Sequence, residues 1–397
     1  MVVRKLQPHE RIDWDVARRY AVGKKIGRGF YGVVWEVTQT AGERRGRGLA
    51  LKKVLHAFRD STDAQRTYRE VSYLLEFGDH SNILRVHDVL CSADDRHLYI
   101  VTDLMDSDLQ KALRCQSLRA VHRPFITYQL LRALKYIHSA GVMHRDVKPS
   151  NVLIDATCRV ALADFGWARS APAEELGLGD GAVMTDYAST RWYRPPELLL
   201  GARRYGTAVD AWGLGCVTAE MHGEKALFPG TSTVDMLSLL VLMLGKPLAG
   251  DVAALEAPFA SFSLDSLPPT PPHRPVEVMF HGDSPEVIDF LKLLLQWNPD
   301  KRFTAEEAMH HPYVGSFSNP DDEPHFGLRV SLALPDEELL PAARYRDQLY
   351  ADVVGFSRAQ RQVERQRLWS LFEEADGAAG DPPVLRDIEA PAPLMPQ

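Results

Sequence analysis

The sequence predicts an α+β fold of two lobes, a small β-rich one followed by a larger α-helical one. Three observations carry this. Between residues 20 and 101 the chain turns repeatedly to β-branched and aromatic runs, as in Val33-Val34-Trp35 and Leu49-Ala50-Leu51-Lys52-Lys53-Val54. Between 109 and 313 apolar residues recur at helical spacing. One stripe is Ile126, Leu130, Leu134 and Ile137, closed by Gly141; another is Ile288, Leu291, Leu294 and Leu295, opened by Ser284 as cap and Pro285 as first helical residue. Inside the helical half, Val152-Leu153-Ile154 and Val160-Ala161-Leu162 bracket the polar turn Asp155 to Cys158, the pattern of a short hairpin. Residues 1–19 read as a lead-in and 103–108 as a hinge between lobes 20–101 and 109–313. Residues 314–378 read as an extension that packs back on this unit, with a helix over about 357–375 whose Leu368, Trp369, Leu371 and Phe372 lie near its end. The Pro/Ala-rich stretch 379–397 reads as disordered.

Composition narrows the function classes. A chain of 397 residues that is 45% hydrophobic can bury one large bilobal core. The formal net charge of −7 argues against nonspecific nucleic-acid binding. The longest apolar run, near Met236 to Leu244, is too short to span a bilayer, and the N-terminus carries no hydrophobic signal core, so a soluble location is expected. Cys91, Cys115, Cys158 and Cys216 are scattered and read as reduced thiols.

The chemistry lies around the hairpin. His144-Arg145-Asp146-Val147-Lys148-Pro149-Ser150-Asn151 precedes it and Asp164-Phe165-Gly166 follows. Either segment alone is commonplace on a solvated loop; the hairpin brings both acids to one end. Asp146 can accept the proton of an attacking hydroxyl, Lys148 can offset charge on a transferring phosphate, and Asn151 with Asp164 can hold magnesium through hard oxygen ligands. Upstream, Ile26-Gly27-Arg28-Gly29-Phe30-Tyr31-Gly32-Val33-Val34 places three glycines between β-prone flanks, where backbone N–H groups can approach phosphates closely. A dinucleotide-binding fold would continue into a helix and carry an acidic ribose partner near position 50; here a β-run follows and that acid is absent.

With these segments in this order, the chain resembles the eukaryotic protein kinases. The resemblance implies ATP and Mg2+ as cofactors. It assigns Lys52, in Ala50-Leu51-Lys52, to the nucleotide phosphates and Glu70, on a helix over about 63–77, as its partner. Lys53, on the other strand face, reads as a solvated charge. Thr102 would border the pocket behind adenine. Glu197 and Arg302 would form a buried ion pair, and Asp210-Ala211-Trp212-Gly213-Leu214-Gly215 a structural element.

Met184-Thr185-Asp186-Tyr187, followed by Arg191-Trp192-Tyr193-Arg194-Pro195-Pro196-Glu197, resembles the lip of mitogen-activated protein kinases. Phosphorylation of Thr185 and Tyr187 would add roughly −3 to −4 charge. The resemblance assigns Arg66, Arg69, Arg145 and Arg169 to pair with it, and Arg191 to a substrate pocket that favours proline after the acceptor. The stretch 228–282 matches that group's helical insert, and Ala57 to Glu70 with Glu76-Phe77-Gly78-Asp79-His80 resembles its atypical autophosphorylating branch. Asp322 and Glu323 are the candidate docking acids, with Asn319 where an acid is usual. Expected partners are protein substrates with Ser/Thr-Pro sites, an upstream dual-specificity kinase and phosphatases; expected locations are cytoplasm or nucleus, with cilium or flagellum from the branch resemblance. The alternative is a catalytically silent kinase-fold scaffold, which degenerate Lys, Asp or Gly positions would favour; none is degenerate.

Overall fold

In the computed structural model, residues 11–29, 31–40, 45–170, 191–202, 205–269, 273–336 and 338–354 are described. The order of elements in the first lobe is α1 (Trp14–Ala17), β1 (Tyr20–Arg28), β2 (Gly32–Gln39), β3 (Gly48–Val54), α2 (Ser61–Phe77), β4 (Val86–Cys91) and β5 (Leu98–Asp103). The strands form one antiparallel sheet, ordered β1-β2-β3-β5-β4. Its two faces follow the period-2 alternation of side chains. Val33, Trp35, Val37, Leu49, Leu51, Tyr99 and Val101 bury the outer face against Val16 of α1 and Tyr20. Val34, Ala50, Lys52, Ile100 and Thr102 point the other way, toward the second lobe. Register fixes this, because Val34 pairs with Lys52, Ala50 with Thr102 and Lys52 with Ile100. Lead-in residues from Ile12 onward are therefore part of the lobe's own packing.

The second lobe runs β6 (Ser107–Asp108), α3 (Leu109–Arg114), α4 (His122–Ser139), β7 (Val142–Met143), β8 (Val152–Ile154), β9 (Val160–Leu162), β10 (Arg169–Ser170), α5 (Pro196–Leu199), α6 (Ala208–Gly223) and α7 (Thr233–Leu244). Then come α8 (Ala249–Ala254), α9 (Ala260–Asp265), α10 (Val276–Met279), α11 (Pro285–Leu294), α12 (Ala305–Met309) and α13 (Pro312–Gly315). The stripe Ile126, Leu130, Leu134, Ile137 is fully buried, and α4 ends before Gly141, whose φ of 72° suits glycine. The expected hairpin forms as β8 and β9, with Val152 opposite Leu162. The α+β expectation of a β-rich first lobe and helical second lobe is met. Helix α11 starts at Pro285 as read, but the Ser284 side chain makes no capping bond to it.

Beyond α13 the chain doubles back. Phe326 inserts between Phe77 and Tyr136, Leu328, Val330, Leu332 and Leu334 are buried at alternate positions, and α14 (Ala342–Val354) lies on α2. Tyr345 tilts against Tyr68 and accepts from Gln65 Nε2 at 3.0 Å; Tyr350 meets Phe58 edge-on. The sequence reading missed α14, although Tyr345, Leu349 and Val353 recur four apart. The helix expected over 357–375 and the tail 379–397 lie outside the described residues.

Candidate active site

Alternation on β3 sends Lys52 and Lys53 to opposite faces, and only Lys52 reaches the cleft. It forms a salt bridge with Glu70 Oε1 of α2. That helix forms because Asp60 caps it, accepting from Asp63 N at 2.9 Å, and because Val71, Leu74 and Leu75 bury its inner stripe, leaving Glu70 at the edge. Lys53 is not the solvated charge expected. It is 3% exposed, donates to Arg11 O at 2.7 Å and lies 5.2 Å from the Tyr99 ring centre, and burial lowers its pKa. The reason is the outer sheet face, which the lead-in covers.

The hairpin's start is held by α6. Buried Asp210 accepts from His144 N at 2.8 Å and Arg145 N at 2.7 Å, and its Oδ2 meets His138 Nε2 at 2.8 Å. Burial would raise the Asp210 pKa, but the His138 bond and charge outweigh it and hold the group ionised. Arg145 and Asp164 both sit in left-handed backbone, at φ 67° and 60°, a costly conformation held by these surroundings. Asp146 accepts from Lys148 Nζ at 2.7 Å and from Asn151 Nδ2 at 2.9 Å. Since Asn151 Nδ2 also donates to Asp146 O at 2.8 Å, its Oδ1 is the atom with metal-ligand chemistry. His144 Nε2 reaches Ala163 O at 3.0 Å and its ring meets Phe165 edge-on, tying the two catalytic segments together.

Asp164 is the focus of the cleft's charge. Burial pushes its pKa up, but Arg66, Lys52 and Lys148 prevail and hold it far below the usual carboxylate range. Arg66 Nη2 lies 3.0 Å from Asp164 Oδ2, and its guanidinium stacks 3.7 Å from the centre of the Tyr31 ring, with Trp167 at 5.5 Å. A cavity of about 200 Å³ opens here, lined by Gly29, Val34, Lys52, Glu70, Arg66 and Asp164 among others. Over it, Gly29 N donates to Gly32 O at 2.9 Å to close the glycine turn, and a Cβ on Gly32 would fall 2.3 Å from Lys53 O. Of the expected nucleotide residues, Gly29, Tyr31, Gly32, Val34 and Lys52 line the cavity, Ala50 and Thr102 pair on the same sheet, and Ile26, Gly27 and Arg28 lie on β1 leading into the glycine turn. Val33 does none of these: it is fully buried on the outer face. Phe30 lies outside the described residues.

The donor set fits magnesium. A carboxylate and an amide oxygen, Asp164 and Asn151, match the ion's habit of taking one or two protein oxygens and completing its shell with phosphates and water. Among the described residues no cluster of three or more His, Cys, Asp or Glu forms a separate metal cage.

Residues 20–314 match the protein kinase domain family. The chain is 45% identical over 355 residues to Extracellular signal-regulated kinase 2 of Dictyostelium discoideum, covering 89% of this chain and 95% of that one. It is 41% identical over 389 residues to Mitogen-activated protein kinase 15 of Rattus norvegicus, covering 96% and 70%, and 39% over 372 residues to the protein of that name in Caenorhabditis elegans, covering 92% and 78%. The chain belongs to the mitogen-activated protein kinase family. It is a protein serine/threonine kinase, and members of this fold use ATP with magnesium.

In this mitogen-activated protein kinase three of the four arginines expected at a phosphorylated lip, Arg66, Arg69 and Arg145, already hold partners. Arg66 holds Asp164, as above. Arg69 Nε binds Asp336 Oδ1 at 2.9 Å and its Nη2 donates to Asp336 O at 3.0 Å. Arg145 Nη1 donates to Trp167 O at 3.3 Å, and Arg169 is buried beside it. Thr185 and Tyr187 lie outside the described residues. Arg191 Nη1 donates to Thr231 O at 3.0 Å, and Trp192 Nε1 to Gly230 O at 3.0 Å. Glu197 and Arg302 form the expected buried pair, two bonds of 2.7 Å. Of the docking acids, Glu323 is internal: it accepts from Tyr128 Oη at 2.9 Å, Ser318 Oγ at 2.9 Å and Asn319 N at 3.0 Å. A group so buried cannot greet a peptide. Asp322 remains exposed and meets Arg132 at 2.8 Å.

Among the described residues no helix is long and apolar enough to cross a membrane. All four cysteines are free.

Proposed function

We propose that this kinase transfers the γ-phosphoryl group of ATP to Ser or Thr hydroxyls followed by proline, and that phosphorylation of Thr185 and Tyr187, by the enzyme itself or by an upstream dual-specificity kinase, raises its activity. The observation that carries the reading is a cavity lined by the Lys52–Glu70 pair and Asp164, with the bonded cluster Asp146, Lys148 and Asn151 beside it, near enough for the Lys148 charge to act on Asp164.

Each side chain has a distinct task. Lys52, fixed by Glu70, steadies the nucleotide phosphates. Asp146 accepts the hydroxyl proton as the new P–O bond forms, and the Lys148 ammonium beside it offsets charge on the transferring group. Magnesium, held through Asp164 and Asn151, would neutralise phosphate charge. The Arg191–Thr231 and Trp192–Gly230 bonds shape a wall after the acceptor where a residue with an N–H would leave that donor unpaired, and proline has none.

Phosphatase-treated protein with magnesium-ATP and paired peptides, Ser-Pro and Ser-Ala, tests this beside Asp146→Asn. Label in the Ser-Pro peptide with none in the variant supports the reading, and mass spectrometry of Thr185 and Tyr187 decides between self-phosphorylation and an upstream kinase. Equal labelling of both peptides would sink proline direction.

A further inference from the structure

The glycine turn, α2 and the segment after β9 meet at the Arg66 side chain. Its Nη2 spans both oxygens of the Asp164 carboxylate, 3.2 Å from Oδ1 and 3.0 Å from Oδ2. Its guanidinium carbon lies 3.7 Å from the centre of the Tyr31 ring and 5.5 Å from that of Trp167, so two aromatic rings attend the same cation. Tyr31 is itself anchored, because its carbonyl accepts from Leu55 N at 2.9 Å, just past β3. Gly166 leaves room for the arginine stem, since a Cβ there would fall 2.6 Å from Arg66 Cγ. The Arg66 and Asp164 side chains are 15% and 25% exposed, so water screens the pair little. Burial works against the Asp164 charge; of the three cations that outweigh it, Arg66 contributes most, ahead of Lys52 and Lys148.

We infer that Arg66 is a stand-in cation for magnesium at Asp164, and that its stack on Tyr31 makes an autoinhibitory latch tying the glycine turn to that carboxylate. The inference rests on the kinase reading above, in which Asp164 is a magnesium ligand. Both Asp164 oxygens already face a guanidinium, so Arg66 has to swing off before the carboxylate can serve a doubly charged ion without a rival cation beside it. Swinging off also breaks the Tyr31 stack, which frees the turn between Gly29 and Gly32. By reciprocity, whatever loosens the stack favours the ion. Without magnesium the same guanidinium helps the nucleotide, because it adds positive charge to the cavity that Lys52 also lines. The two effects have opposite signs, and that sets a latch apart from a merely structural role.

The intact chain is titrated calorimetrically with ADP, first in excess magnesium and again in a chelator. Arg66→Gln is expected to bind ADP about fivefold more tightly than wild type with magnesium and about threefold more weakly without it. Tyr31→Leu removes the stack and keeps the arginine, so it should tighten binding in magnesium by about twofold; Tyr31→Phe keeps the ring and should return the affinity toward wild type. Affinities of Arg66→Gln that move in the same direction in both media, or that do not move, overturn the latch. Tryptophan emission reads the same event without turnover. Magnesium with ADP should change the Trp167 signal, obtained by subtracting the emission of Trp167→Phe, and the change should be absent in Arg66→Gln. A Trp167 signal that does not respond, or that responds equally without Arg66, overturns the inference. Wild type that binds ADP in neither medium would instead bring down the nucleotide reading of the cleft, with a titration of the Trp167 signal by magnesium alone still deciding whether Arg66 yields Asp164 to an ion.

Discussion

At Asp146 the carboxylate is held between the Lys148 ammonium and the Asn151 amide, so its lone pairs are aimed before any substrate arrives. Asp146→Asn retains the shape and loses the proton acceptor. Its kcat is expected to fall by about 10² to 10⁴ while nucleotide affinity changes little, measured by steady-state kinetics beside a nucleotide titration. At Asp164 the Arg66 guanidinium occupies the oxygen that would serve a cation. Arg66→Gln removes that competitor, so magnesium-dependent nucleotide affinity should rise by about fivefold; an unchanged or weaker affinity would show that Arg66 does not compete there. Residue types and spacing made Asp146, Lys148, Asn151 and Asp164 legible in sequence. The fate of Arg66 was not, because its partner lies 98 positions away.

Helix α14 on α2 shows what one element contributes to another. Leu349 is fully buried, Tyr345 nearly so, and both lie where the C-terminal segment covers the helix that carries Glu70. Leu349→Ala is expected to destabilise by about 2–5 kcal/mol, read as a lower urea midpoint with an unchanged slope. Helix α14 carries only two buried apolar residues, Tyr345 and Leu349, with Val353 half-buried at the same spacing, so its signal is weak; docking on α2, not propensity, stabilises it. The strands of the first lobe were easier, since alternation of apolar and polar residues reports both strand and face. Their two misjudged residues, Lys53 and Val33, both lie on the face that the lead-in covers.

Across the whole molecule two ion-pair sites tie distant segments together. Glu197 and Arg302 are 105 positions apart and almost fully excluded from water. Glu197→Gln strands the guanidinium, and a loss of about 3–5 kcal/mol is expected by chemical denaturation. At the end of β5, Asp103 meets His87 at 2.7 Å, Arg47 at 3.0 Å and Arg159 at 3.9 Å. Burial would raise its pKa, but His87, Arg47 and Arg159 outweigh it and lower it. A depressed carboxylate stabilises the fold above its unfolded value of about 3.9 and loses that contribution as pH falls through its native value. The stability gap between wild type and Asp103→Asn should therefore be full at neutral pH, begin to shrink near that value and vanish below it, followed by thermal unfolding across pH.

The sequence by itself determined the two-lobed α+β architecture, the family and the chemical identity of the cleft. Glycine spacing, period-2 and period-3.6 patterns and the order of acidic loops are local properties that a linear chain displays. The tertiary structure alone decided which arginine meets which anion, that Glu323 is internal and Asp322 is not, and that Asp336 holds Arg69. These are long-range pairings, where competing partners of equal charge can be ranked only by distance and burial, and neither is written in the sequence.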